Sequence, residues 1–148
     1  MSAMVALLAV GDELPRPEVG PITRTTLALF AGGSGDHNPI HIDTDFALRA
    51  GMPDVIAHGM LTAAYFGRLL TGSVLQDRIR KLSVRFVAPT PVGARPACSA
   101  TVTALEEQED GSRLATLTLV ATLEDGTVTL TGSAQILLSA DEAGESQS

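Results

Sequence analysis

The chain has 148 residues, 45% apolar and 18% charged, enough to bury one core and too apolar for a disordered polymer. Its formal net charge is −7 and its longest basic cluster is Arg78-Ile79-Arg80-Lys81, which excludes the basic stripe a nucleic-acid surface needs. The single cysteine, Cys98, excludes an intramolecular disulfide and fits a reducing compartment, so a cytoplasmic location is expected.

Residues 3–10 are apolar, but no Lys or Arg precedes them and Gly11-Asp12-Glu13 follows. A secretory signal needs a positive start and a small-residue cleavage site, so this stretch reads as a lead-in packed on the domain. No run nears the roughly 20 apolar residues of a membrane span. Thr23 N-caps a short helix through Phe30 that stops at Gly32-Gly33. Residues 34–42 cannot be regular helix, because Pro39 lacks an N–H and pushes Asn38 toward extended geometry. Asp43 or Thr44 caps a second short helix ending near Gly51. A third begins around His58-Gly59 and runs to about Leu70. Met60, Leu61, Ala63, Ala64, Tyr65, Phe66, Leu69 and Leu70 make it apolar on nearly all sides, which predicts a buried helix that something must wrap.

The second half supplies the wrapper. Residues 79–88 read as a strand. Cys98, Ala100, Val102 and Ala104 alternate with Ser99, Thr101 and Thr103, the pattern of a half-buried strand. Ala115, Leu117, Leu119 and Ala121 share one face of 113–122. Val128, Leu130, Ala134, Ile136 and Leu138 share one face of 127–138. Asp110-Gly111 and Asp125-Gly126 mark tight turns between these runs. The expected fold is α+β: a curved antiparallel sheet wrapped around a long central helix, one domain over 1–139. The small, acidic residues 140–148 are expected to be a frayed tail.

All three histidines, His37, His41 and His58, fall within a short, Gly- and Pro-rich stretch that also holds Asp36 and Asp54. Titratable groups on irregular backbone beside a buried helix describe a site better than a core. An exposed Asp, with a pKa of about 3.9, is a poor base near neutrality, and a His neighbour with loss of water brings both groups toward a working range. The Asn38-Pro39 turn can bring Asp36 and His41 to face one point, where they would hold a water and move its proton. Spacing alone leaves a plainer alternative open, in which Asp36 caps a turn and His41 is a satisfied core histidine.

A metal site is disfavoured. His37 and His41 have helical zinc spacing, but Pro39 breaks the helix that would align them, and no Cys lies nearby. His58-Gly59-Met60 opens the long helix, whose first N–H groups lack internal partners. Gly59 lets a ligand approach that backbone, so a thioester carbonyl docked there would have its developing enolate oxygen stabilised. An ordinary helix start with glycine at its cap is the alternative. Cys98 reads as packing, and neither Ser34 nor Thr62 carries a nucleophile pattern.

Residues 30–47, Phe-Ala-Gly-Gly-Ser-Gly-Asp-His-Asn-Pro-Ile-His-Ile-Asp-Thr-Asp-Phe-Ala, closely resemble the hydratase motif of the MaoC-like, (R)-specific enoyl-CoA hydratase family. Ile56-Ala57-His58-Gly59-Met60-Leu61 is similar to the start of that family's central helix. The resemblance implies a hot-dog fold and an acyl thioester in a tunnel beside the helix, carried by CoA or by an acyl-carrier protein. It implies that Asp36 and His41 bind the catalytic water, that the Gly59 N–H holds the thioester oxygen, and that Asn38 positions the loop. His58 and Met60 would contact substrate or position the loop. His37 sits at a variable position, and Asp54 matches nothing assignable. No cofactor or metal is implied. The reaction would be syn hydration of a trans-2-enoyl thioester to an (R)-3-hydroxyacyl thioester, or its reverse. A homodimer is expected, or a heterodimer with a motif-poor second subunit. A hot-dog acyl thioesterase is the enzymatic alternative, disfavoured because residues 59–72 hold no carboxylate.

Overall fold

A computed structural model describes residues 7–139. The period-two half of the chain forms four antiparallel strands, β1 (Ile79–Phe86), β2 (Ala97–Glu107), β3 (Arg113–Thr122) and β4 (Val128–Leu138), in the order β1-β4-β3-β2. Asp110-Gly111 and Asp125-Gly126 turn the chain between them as expected, both glycines at positive φ. The register stacks small residues against large ones: Ala115 faces Ile136, Leu117 faces Ala134, and Leu119 faces both Gly132 and Ala100. Gly132 is required there, since a Cβ would stand 2.4 Å from the Ser83 backbone oxygen. A sheet face of Ala and Gly lets a helix come close.

That helix is α3 (Gly59–Thr71), preceded by α1 (Arg24–Ser34) and the short α2 (Thr44–Arg49). Phe66, Leu69 and Leu70 of α3 are almost fully enclosed and pack with Leu117, Leu119 and Ile136 in the main core. Each such side chain contributes about 1.5–3 kcal/mol of burial. A second core of Ile22, Leu27, Ala47, Val55, Ala57 and Leu61 joins α1 and α2 to the start of α3. A curved sheet holding one helix in its grip is the hot-dog architecture.

Several expectations need correction. α1 does not stop at Gly32-Gly33. It continues to Ser34 and ends on Gly35, whose φ of 76° and N–H donation to Ala31 O close the helix. A helical glycine costs only about 1 kcal/mol, and the stop is the glycine that adopts the left-handed cap. α3 is not buried all round: Met60, Ala64 and Arg68, four apart, form an open stripe. In β2 a bulge between Val102 and Ala104 reverses the alternation, so Ala104 is exposed and Leu105 packs on the core instead. β1 ends at Phe86, two residues before the expected strand end.

Of the apolar lead-in, Leu8 is buried in the main core while Leu7 and Val10 are exposed. Gly11 and Leu14 donate to the backbone of β2, laying 11–14 along its outer edge. Residues 3–6 of the lead-in and the tail 140–148 lie outside the described residues. No helix among the described residues is long and apolar enough to cross a membrane.

Candidate active site

Beyond Gly35 the chain descends a staircase of side-chain caps. Ser34 Oγ accepts from Asp36 N at 3.2 Å, Asp36 Oδ1 from Asn38 N at 3.2 Å, and Asn38 Oδ1 from Ile40 N at 3.1 Å. Such i to i+2 bonds fix a loop that cannot use helical ones. Asn38 thereby caps a single 3₁₀ turn, Pro39–His41, which swings the His41 ring inward. The His41 side chain is 11% exposed, while that of Asp36 is 52% exposed.

His41 Nδ1 donates to the Ile56 carbonyl at 2.8 Å. A neutral imidazole with its proton on Nδ1 carries a lone pair on Nε2. That nitrogen faces Asp36 Oδ2 at 3.8 Å, too long for a direct hydrogen bond and short enough for one water to touch both. His58, buried at the head of α3, donates through Nε2 to the Asp36 carbonyl at 3.1 Å, and its ring stacks on that of His41. Burial, first, and the neighbouring His41 hold its pKa below the ordinary histidine value, only partly offset by the bond to Asp36, so it is a neutral donor.

Beside His41 lies a cavity of about 320 Å³, lined on the α3 side by Gly59 and Thr62 and opposite by Phe86, Val87 and Thr90. Gly59 heads α3, where its N–H has no carbonyl four residues back to bond. The Phe86 ring sits against it: a Cβ on Gly59 would be 2.8 Å from Phe86 Cε1. His41 and Gly59 thus share the cavity wall, and Asp36 meets His41 from outside that lining, with Asn38 capping the loop and His58 stacked on His41. Met60 does not join them. It lies on the open stripe of α3 at 64% exposure, outside the cavity lining, because the residue after an inward-facing helical position turns away by about 100°. His37 is exposed.

Asp36, His41 and His58 each bring one potential ligand atom within 4.8 Å of the others. The two imidazole planes are only 24° apart and stacked, so their in-plane lone pairs run side by side instead of converging on an ion. His58 Nε2 also carries the proton it donates. The arrangement suits a water better than a metal.

Three features escaped sequence reasoning. The Ile56 carbonyl has no side-chain signature. The wall at 86–90 falls where a strand was expected to continue, and Pro89 was the available sign that it would leave the sheet. Asp54, unassigned before, is paired bidentately with Arg24: Nη1–Oδ1 is 2.9 Å and Nη2 meets Oδ2. Arg24 above all, then the Val55 N–H, holds the Asp54 carboxyl down to about 2.

Residues 8–124 match the family described as MaoC like domain, and the chain belongs to it. 3-Hydroxyacyl-thioester dehydratase Z of Mycobacterium tuberculosis is 31% identical over 122 residues, which are 78% of this chain and 81% of that protein. The (R)-specific enoyl-CoA hydratase of Aeromonas caviae is 35% identical over 118 residues, 76% of this chain and 83% of the relative. Among solved structures, the (R)-hydratase from A. caviae involved in PHA biosynthesis superposes with a TM-score of 0.76 at 32% identity, covering 88% of this chain and 96% of that one.

Proposed function

We propose that this chain is a hydro-lyase that interconverts trans-2-enoyl and (R)-3-hydroxyacyl thioesters. The observation that carries the reading is the pair of facing atoms, His41 Nε2 and Asp36 Oδ2, 3.8 Å apart, with His41 lining a cavity that also meets the head of α3. A water held between them gives one proton to the pair and adds its oxygen to C3. The pair then protonates C2. The Gly59 N–H holds the thioester oxygen while enolate charge sits on it, where a fixed donor does most for the transition state. Acyl-CoA is the favoured substrate, with an acyl-carrier-protein thioester the alternative carrier. Both proton transfers use the chain's own groups, so no cofactor or metal enters the reaction.

The same reading takes residues 1–139 as one catalytic domain, located in the cytoplasm, where the buried thiol of Cys98 stays reduced. It pairs with a second copy. β1 is an edge strand and carries exposed Leu82 and Phe86, continuous with exposed Val87. An apolar strand edge of this kind calls for a cover. A heterodimer would use the same edge, and a monomer by light scattering would remove both.

The test is hydration of crotonyl-CoA, followed by loss of the conjugated thioester absorbance. Asp36→Asn and His41→Ala each lower kcat about 10²- to 10⁴-fold, the range for lost general acid–base catalysis. Full activity in both variants ends the reading. Release of free CoA thiol without a hydrated product would favour a thioesterase instead.

A further inference from the structure

We infer that Asp54 is a positioning residue for His41, acting through the Ile56 carbonyl as part of a polar clamp with Arg24 and Thr44. The inference rests on the reading of His41 as a proton-transfer group.

Arg24 is the first residue of α1 and Thr44 the first of α2. Asp54 Oδ1 accepts from Arg24 Nη1 at 2.9 Å and from Thr44 Oγ1 at 3.3 Å, and Arg24 Nη1 also donates to Thr44 Oγ1 at 3.2 Å. The same carboxylate accepts from its neighbour Val55 N at 2.7 Å, which fixes the plane of the 54–55 peptide. Val55 is buried in the second core, and the carbonyl of the residue after it, Ile56, accepts from His41 Nδ1. Three links therefore connect a surface guanidinium to the protonation pattern of the imidazole.

A lone exposed ion pair would carry little weight. This one is bidentate and shared with a hydroxyl and a backbone N–H, the geometry in which such pairs hold a shape. Arg24 also sits at the positive end of α1, where a cation is poorly placed for the helix. Asp54 neutralises it, and its own charge lies favourably against the head of α2. The arrangement has little to offer α1 by itself and much to offer the loop at 54–56.

The consequence is at Nε2. The dyad works only if Nε2 is bare and Nδ1 carries the proton, and the acceptor on Nδ1 decides that. Further along, Val55 O accepts from Val92 N at 3.3 Å, Ile56 N donates to Ile40 O at 3.2 Å, and Ala57 N, in the same planar peptide as the Ile56 carbonyl, donates to Thr90 O at 2.8 Å, so this stretch keeps backbone anchors of its own without the clamp. Removing Asp54 frees the 54–55 peptide, and the reorientation that reaches the Ile56 carbonyl through Val55 against those anchors is what the imidazole senses.

The experiment is ¹⁵N NMR of the His41 tautomer, with kcat and KM for crotonyl-CoA, in Arg24→Ala, Asp54→Ala, their double variant and Arg24→Lys. The wild type is expected to hold the Nδ1–H form. Both alanine variants shift His41 toward Nε2–H and lower kcat about tenfold with KM within about twofold, a loss of alignment rather than of binding. The double variant is no worse than either single one, and Arg24→Lys recovers part of kcat. The Arg24 side chain is 59% exposed, so its truncation leaves the core intact even if Asp54→Ala lowers Tm. An unchanged tautomer in Arg24→Ala, or a wild type already in the Nε2–H form, overturns the inference. An inactive wild type with an intact Nδ1–H signal would count against the hydratase reading and leave the clamp standing.

Discussion

The imidazole of His58 lies flat against that of His41, with ring centroids 3.9 Å apart and planes 24° from parallel. Phe30 tilts against His58 with ring centroids 4.8 Å apart. One buried ring thus backs His41 by contact and holds the Asp36 backbone by a hydrogen bond, so it touches both halves of the dyad. His58→Phe keeps the packing and loses the bond; His58→Ala loses both. The alanine variant should cost about 3 kcal/mol in urea unfolding, as for other buried rings, and the phenylalanine variant about 1 kcal/mol. Activity should fall in the same order, with kcat moving more than KM.

His58 also predicts an acid limb to stability. Its folded pKa lies below the ordinary value because burial opposes the charged form. An unfolded histidine takes up its proton near pH 6.5, before the folded one does, so stability is complete above about pH 6.5 and falls as pH drops toward the folded pKa. His58→Phe removes that slope. Urea midpoints compared at about pH 7.5 and about pH 5.5 will show it as a smaller difference than in the wild type.

Gly59 and Phe86 should behave as a pair. A Cβ at Gly59 would meet Phe86 Cε1 at 2.8 Å, yet that ring is 55% exposed and can swing away. Alanine is also the better helix former by about 1 kcal/mol, so Gly59→Ala should leave Tm near its wild-type value. The displaced ring has the cavity beside it, so the cost falls on substrate: KM rises and kcat drops. Adding Phe86→Leu to Gly59→Ala should restore part of both. A double variant as poor as Gly59→Ala alone would show that the methyl group blocks the thioester directly.

Much of this site was legible because its backbone is coded by side chains. Asn38-Pro39 after Asp36 dictates a turn by removing an N–H and supplying a cap, and the loop follows. The strand faces were legible from alternation wherever pairing stays regular, as at Ala115 to Ala121. They were illegible at the Val102–Ala104 bulge, which is a matter of pairing between strands and leaves no mark on the residues themselves. The open stripe of α3 was missed because Met60 and Ala64 are apolar whether they face a core or another subunit. Ile56 was invisible because its contribution is a carbonyl, which every residue has. Asp54 could have been found only by knowing that Arg24, far away in sequence, comes to meet it.

Cys98 points into the main core from β2 opposite Ala121. Burial pushes its thiol up to about 11. The unfolded thiol ionises near pH 8.5, so between that value and about pH 11 the unfolded chain loses a proton that the folded chain keeps. Stability is therefore full below about pH 8.5 and declines as pH rises through this window. Native protein should resist a thiol reagent near pH 8 and react fully in denaturant. Cys98→Ala should flatten the alkaline decline in urea midpoint while lowering stability at neutral pH only modestly, since it removes one sulfur atom from a face otherwise built of alanine and leucine. Rapid labelling of the native thiol would mean that the β2 edge opens at the 97–102 segment, and would place the weak point of the sheet there.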